Sequence, residues 1–216
     1  MAVPSAERKK LSVRRCPWPA LLARDELYTA YHDREWGVPV HDDRTIYEFL
    51  VLEVFQAGLS WRTVLYKREH FRKAFAGFDY KKVSRFTRRD VERLLKDAGI
   101  IRNRAKIEAT IENARRFVEI QKEFGSFAQY MWQWVGNKPI VHRFHTEKDY
   151  PAYTLEAVAW AKDLKRRGFR FVGPTVVYAH MQAVGMVDDH TIDCFRHGVG
   201  ASRRRMRQKT PRVRGK

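Results

Sequence analysis

Apolar residues recur at three- and four-residue intervals along most of this chain, the spacing of one buried helix face. DDRTIYEFLVLEVFQA (42–57) opens on two aspartates that can cap a helix and then turns almost wholly apolar. Ser60 can cap SWRTVLYKREHFRKAFAGF, which reads as one helix ending near Gly77. In TRRDVERLLKDAG, Thr87 and Asp90 have the spacing of a capping box, and Gly99 is the expected helix stop. NRAKIEATIENARRFVEIQKEFG (103–125) predicts a long amphipathic helix ending at Gly125. Residues 126–135 predict a short aromatic helix. TLEAVAWAKDLKRRG (154–168) predicts another, with a basic last turn and Gly168 as its C-cap. GPTVVYAHMQAVG (173–185) places a proline just inside a helix start. Alternation of period two is confined to FRFVG (169–173). The pattern predicts an all-α protein of globular rather than bundle type. No internal repeat or long linker interrupts residues 16–197.

Length and composition narrow this picture. A chain of 216 residues is long enough for one well-buried core. No run of about 20 apolar residues exists, so no membrane span is expected. The first residues are charged and lack the apolar core of a secretory signal, so a soluble intracellular protein is expected. The formal charge of +18 calls for an acidic partner or for basic tails. Residues 1–15 carry a net +4 and residues 198–216 a net +8, leaving about +6 for the rest. The expected organisation is a basic arm over 1–14, one domain over 15–198 and a second basic arm over 199–216. Nucleic acid is the commonest acidic polymer that such arms meet, although a purely solubilising tail has the same composition.

Three constellations carry candidate chemistry. VERLLKDAGIIRNRAKIEATI (91–111) reads as helix, short glycine-containing turn, helix, with Arg102, Arg104 and Lys106 directly after the turn. Free amides at a helix start beside such cations suit a phosphate, the sequence-independent grip of a helix-hairpin-helix. An ordinary αα-hairpin with a solvated basic face fits the same residues. His190 and Cys194 in DDHTIDC stand four apart, which on a helix turns both to one side. Cys16 and His32 lie near the start of the fold. Two thiolates and two imidazoles make a closed, structural Zn²⁺ set, with His197 a competitor for one place. Two unrelated cysteines and core histidines are the alternative. Finally, Glu53 ends the apolar run IYEFLVLEVF, where a carboxylate is costly unless something pairs with it. Tyr28, Tyr31, Trp36, Trp61 and Trp18 lie nearby in sequence and can stack on a planar base. A carboxylate among them suits a cationic or amino-bearing base taken out of a duplex. A structural arginine paired to Glu53 would explain the same residue.

Taken in order, RCPW, YHDREWGVP, QAGLSW, AGIIRNRAKI, KRRGFRFVGPT, YAHMQAVG and DHTIDCFRH resemble the 3-methyladenine DNA glycosylase I family, the constitutive alkylation-repair glycosylases of bacteria, over roughly residues 14–197. The resemblance implies an all-α helix-hairpin-helix DNA glycosylase fold, with one structural zinc joining the N- and C-terminal segments through Cys16, His32, His190 and Cys194. It implies that Glu53 reads the base, and that Trp18, Tyr28, Tyr31 and Trp61 line its pocket. It implies a DNA plug over Gln56, Ala57, Gly58 and Leu59, and contacts to DNA from the hairpin at Gly99, Arg102, Arg104 and Lys106. The implied reaction is hydrolysis of the N-glycosidic bond of N3-methyladenine in alkylated double-stranded DNA, in the bacterial cytoplasm, by a monomer. No aspartate follows the hairpin in the place many such glycosylases use, and no lysine is placed as a Schiff-base nucleophile. The expectation is therefore a monofunctional enzyme without lyase activity. The chain departs from the family pattern at Val54, expected to crowd the pocket, and at Ala157, Ala161, His180 and Asp188.

Overall fold

The structure is a computed structural model that describes residues 13–20 and 25–200. Most of both basic arms, residues 1–12 and 201–216, lies outside it. Among the described residues, eleven α-helices follow one another: α1 (Pro17–Ala20), α2 (Glu26–Arg34), α3 (Asp43–Gln56), α4 (Trp61–Tyr66), α5 (Arg68–Ala74), α6 (Tyr80–Val83), α7 (Arg88–Lys96), α8 (Arg104–Phe124), α9 (Phe127–Trp132), α10 (Leu155–Arg166) and α11 (Pro174–Ala183). A two-residue parallel pair, β1 (Ile140–Val141) with β2 (Val187–Asp188), is the one departure from an all-α protein among the described residues.

The continuous apolar run of α3 has a simple consequence. All residues from Ile46 to Phe55 are buried, because α4, α8, α9 and α11 pack around this helix on every side. Asp42 caps it through the Thr45 amide, a contact worth about 1 kcal/mol. The Tyr47 hydroxyl donates to the Thr110 carbonyl and joins α3 to α8. Phe117 of α8 stacks on Phe127 of α9 with centroids 3.9 Å apart. The Thr87–Asp90 capping box opens α7 as expected, and Asn103, Ser126 and Thr154 cap α8, α9 and α10.

Four expectations are corrected. The stretch expected as one helix from Ser60 to Gly77 breaks at Lys67, whose N–H closes a tighter turn on the Val64 carbonyl. The break turns α5 so that the buried guanidinium of Arg68 meets Glu35 at 2.6 Å and Glu48 at 2.5 Å. Gly99 does not stop α7, which ends at Lys96 with Asp97 extended. Gly99 packs instead under the exposed His70 side chain: a Cβ there would lie 2.6 Å from that ring, which would have to turn aside. FRFVG forms no strand; the strand residues lie at 140–141 and 187–188. His190 and Cys194 do not sit on a helix either, because irregular backbone and turns follow β2.

Candidate active site

A cavity of about 200 Å³ opens beside the C-terminal half of α3. Trp18, Tyr28, Tyr31, Trp36, Glu53, Gln56, Trp61, Tyr150, Ala179 and Gln182 form its walls. All five aromatics named from the sequence are therefore brought together. Trp18 of α1 stands edge-on to Tyr28 at 5.1 Å and to Trp36 at 5.2 Å. Tyr31 of α2 leans on Trp61 of α4 at 5.0 Å. Asp25 holds these two helices together. It caps α2 through the Tyr28 amide and accepts from Arg62 at 2.6 Å and from the Tyr66 hydroxyl at 2.9 Å. Tyr150, Ala179 and Gln182 were not singled out from the sequence. Gln182 and Ala179 belong to YAHMQAVG, whose helical spacing puts both on one face of α11, whereas nothing local marks Tyr150 in its loop. The Gln182 amide is oriented by donation to buried Asp189 at 2.7 Å.

Glu53 is buried and its Oε2 has no hydrogen-bond partner. The arginines of α5 go elsewhere: Arg68 and Arg72 both reach Glu48, the other buried acid of α3. Burial without a cation pushes the Glu53 carboxyl up to about 8. The indole N–H groups of Trp18 and Trp61 are buried without partners as well. A small cup with an unsatisfied acceptor and unsatisfied donors is arranged for a ligand with hydrogen-bonding edges and flat faces.

Val54 is buried but takes no part in the cavity wall, so it does not crowd the pocket. His180 is buried beside Trp160, with neither ring nitrogen hydrogen-bonded, and burial pushes it down to about 3. Ala157 and Ala161 are buried on α10. Asp188 accepts from the amides of His190 and Gly198.

At the rim, α3 ends in a tight turn. The Leu59 amide bonds to the Gln56 carbonyl at 2.6 Å, with Ala57 at φ −47°, ψ 114° and Gly58 at φ +81°. This is a type II turn, whose third residue needs the left-handed region that glycine favours. It presents the Leu59 side chain 42 % exposed. The hairpin α7–α8 lies against the same end of α3. Lys67 holds its turn through the Ala98 and Gly99 carbonyls. The amides of Gly99, Ile100 and Asn103 close the turn internally, while those of Ile101 and Arg102 take no part in that closure. Arg102 is exposed. Arg104 pairs with Glu92 at 2.8 Å, bracing the two helices. Lys106, expected on the DNA-facing surface, is instead buried, with its ammonium on the carbonyls of Phe55 at 2.9 Å and Ala57 at 2.6 Å.

Cys16, His32, His190 and Cys194 converge, with one ligand atom from each lying within 4.8 Å of the others. Cys16 and Cys194 Sγ lie 3.4 and 3.5 Å from His190 Nδ1, and Cys194 Sγ lies 3.6 Å from His32 Nε2. A tetrahedral site with bonds of about 2.3 Å to sulfur and 2.0 Å to nitrogen separates S and N by about 3.5 Å. The outward nitrogens are anchored too: His32 Nδ1 lies 2.8 Å from Asp33 Oδ1, and His190 Nε2 lies 3.1 Å from the Trp36 carbonyl. Such partners place the N–H outward and aim the lone pair at a metal. Arg15 in turn grips Asp33 in bidentate fashion. The cluster can hold a metal ion. The competitor His197 bonds to the His142 carbonyl and stays outside it.

In class, this is a mostly helical protein with a helix–turn–helix hairpin, an exposed apolar turn and a cup for one planar ring at the end of its central helix. The chain belongs to the methyladenine glycosylase family, which it matches over residues 21–197. It is 46 % identical to DNA-3-methyladenine glycosylase 1 of Escherichia coli over 182 residues, which cover 84 % of this chain and 96 % of that protein. The crystal structure of a 3-methyladenine DNA glycosylase I superposes with a TM-score of 0.81 at 46 % identity, over 85 % of this chain and all of that one. The Staphylococcus aureus 3-methyladenine DNA glycosylase I, solved to explain its recognition of 3-methyladenine, gives 0.78 at 36 % identity, over 80 % and 92 %. No helix of the described residues is long and apolar enough to cross a membrane.

Proposed function

We propose that this enzyme is a DNA repair glycosylase that hydrolyses the N-glycosidic bond of 3-methyladenine in alkylated duplex DNA and leaves an abasic site. The observation that carries the reading is the partnerless Glu53 carboxyl inside an aromatic cup, in a chain that belongs to the methyladenine glycosylase family. Methylation at N3 makes the adenine ring cationic in DNA. The extruded ring then lies between aromatic faces with its charge against Glu53, which becomes an anion with a partner. When the C1′–N9 bond breaks, its electron pair returns to the ring and neutralises it, so the base leaves without a strong general acid. The sugar becomes oxocarbenium-like and takes a water oxygen, whose proton passes to solvent. The described cavity wall carries no lysine, and buried Lys106 is held on two carbonyls. Among the described residues that line the cup no amine is placed to form a Schiff base, which supports a monofunctional enzyme without lyase activity.

Leu59, at the tip of the type II turn, is the wedge that fills the space the base vacates. The hairpin turn, through Arg102 and the Ile101 and Arg102 amides, is the phosphate grip, while Arg104 braces it. The metal of the Cys16–His32–His190–Cys194 cluster is zinc, held in a closed structural site that supplies no chemistry to the reaction. Because Trp18 follows Cys16 by two residues, fixing that sulfur fixes one wall of the cup. The test is base release from duplex DNA treated with a methylating agent, with the products separated by chromatography. Free 3-methyladenine with intact strands is expected. Binding without release would overturn the catalytic reading in favour of a DNA-binding protein, and strand cleavage would overturn the monofunctional one.

A further inference from the structure

The geometry points to Lys106 as a positioning residue that locks the apolar turn in the form able to enter DNA. Types I and II of a β-turn differ by a flip of the central peptide, here the one joining Ala57 to Gly58. That flip reverses the direction of the Ala57 carbonyl. Lys106 Nζ lies 2.6 Å from this oxygen and 2.9 Å from the Phe55 carbonyl near the end of α3. It can reach the pair only while the turn is type II. The ammonium therefore holds the orientation that leaves Leu59 exposed, and also satisfies a carbonyl at the negative end of the helix that carries Glu53. Lys106 sits in the first turn of α8, where its own amide bonds to the Asn103 cap. One side chain thus fixes the wedge relative to the phosphate grip of the hairpin. This role rests on the proposed function of the turn as a DNA wedge.

Lys106→Met tests it with three readouts. The first is fluorescence of 2-aminopurine placed opposite a tetrahydrofuran abasic analogue in duplex DNA, which reports entry of the wedge without any base release. The second is the single-turnover rate on methylated duplex at saturating protein. The third is binding of free 3-methyladenine, which needs the cup but not the wedge. K106M is expected to lose the fluorescence change and to slow release by about 100-fold, the scale of a 1 Å misplacement, while free-base binding is unchanged. Lys106→Arg, which keeps a cation and reaches both oxygens, is expected to restore most of both losses. A K106M protein that inserts and releases base as the wild type does would overturn the inference. Parallel loss of free-base binding would also overturn it, by placing the effect in the cup. If K106M does not fold, Lys106→Gln takes its place, with partial loss expected and wild-type insertion refuting the idea. Were the wild type to release no base, the proposed reaction would fail, while the fluorescence signal would still judge the role of Lys106.

Discussion

Glu53→Gln removes a carboxylate that the fold buries without a cation and keeps nearly the same shape. The Glu53 carboxyl stands at about 8 in the folded protein against 4.5 when unfolded. The folded state therefore holds a proton that the unfolded chain releases across this window. Stability is unpenalised below pH 4.5 and falls as pH rises toward 8, by at most about 1.4 kcal/mol per unit or roughly 4–5 kcal/mol in all. The amide cannot ionise, so E53Q lacks this loss. Denaturant unfolding of both proteins at pH 5, 6.5 and 8 measures it. The variant is expected to be near wild type at pH 5 and more stable by several kcal/mol at pH 8, with the difference growing through the window. The same carboxyl must lose its proton to face a cationic base, which costs about 1.4 kcal/mol at pH 7 for a group at 8. Wild-type kcat/KM for base release should rise about tenfold per unit toward pH 8 and then level. E53Q should be strongly impaired and flat over that range while still binding duplex DNA. Parallel stability curves for the two proteins would refute the argument that Glu53 is buried unpaired.

Other residues make independent predictions. His180→Phe removes two unsatisfied buried nitrogens and should raise stability at pH 7 by about 1–3 kcal/mol. Because burial lowers His180 to about 3, the wild type should also lose stability as pH falls from 6.5 toward 3, and H180F should lack that part of the acid loss in a pH-resolved melt. Metal analysis should find one zinc per folded chain, and Cys16→Ser should lower both Tm and the affinity for free 3-methyladenine; a zinc-free folded wild type would remove that site. Gly99→Ala puts a Cβ 2.6 Å from the exposed His70 ring, which must turn aside, and should destabilise by about 1 kcal/mol or less, with His70→Ala removing the effect in a double-mutant cycle. Deleting residues 201–216, which carry eight basic residues, should flatten the salt dependence of DNA binding by about 0.9 in slope for each phosphate no longer neutralised; an unchanged slope would deny the arm a role on DNA.

Local chemistry makes most of the helices legible in the sequence. The caps at Asp42 and Ser60, the Thr87–Asp90 box and the apolar spacing of α3 and α8 act within a few residues of themselves, so a linear reading finds them. The motifs also named Glu53, the five aromatics and the four metal-cluster residues, because each residue type is unusual in its setting. What they left open was pairing between distant segments. Whether Glu53 met an arginine depended on the break at Lys67, which gives Arg68 to Glu48 instead. Arg68 pairs across the fold with Glu48 and Glu35, twenty and more positions away, and no local pattern marks those pairings. Lys106 looked like a surface cation for the same reason: the basic run predicts charge, and the two carbonyls that draw its ammonium inward lie about fifty residues back in the chain. Tyr150 and Gln182 entered the cup through a loop and a helix face whose positions depend on packing across the whole domain. Sequence carries the interactions that close over a turn or two of helix, and tertiary structure alone decides which buried charge finds a partner, since that energy is set by distances no local pattern encodes.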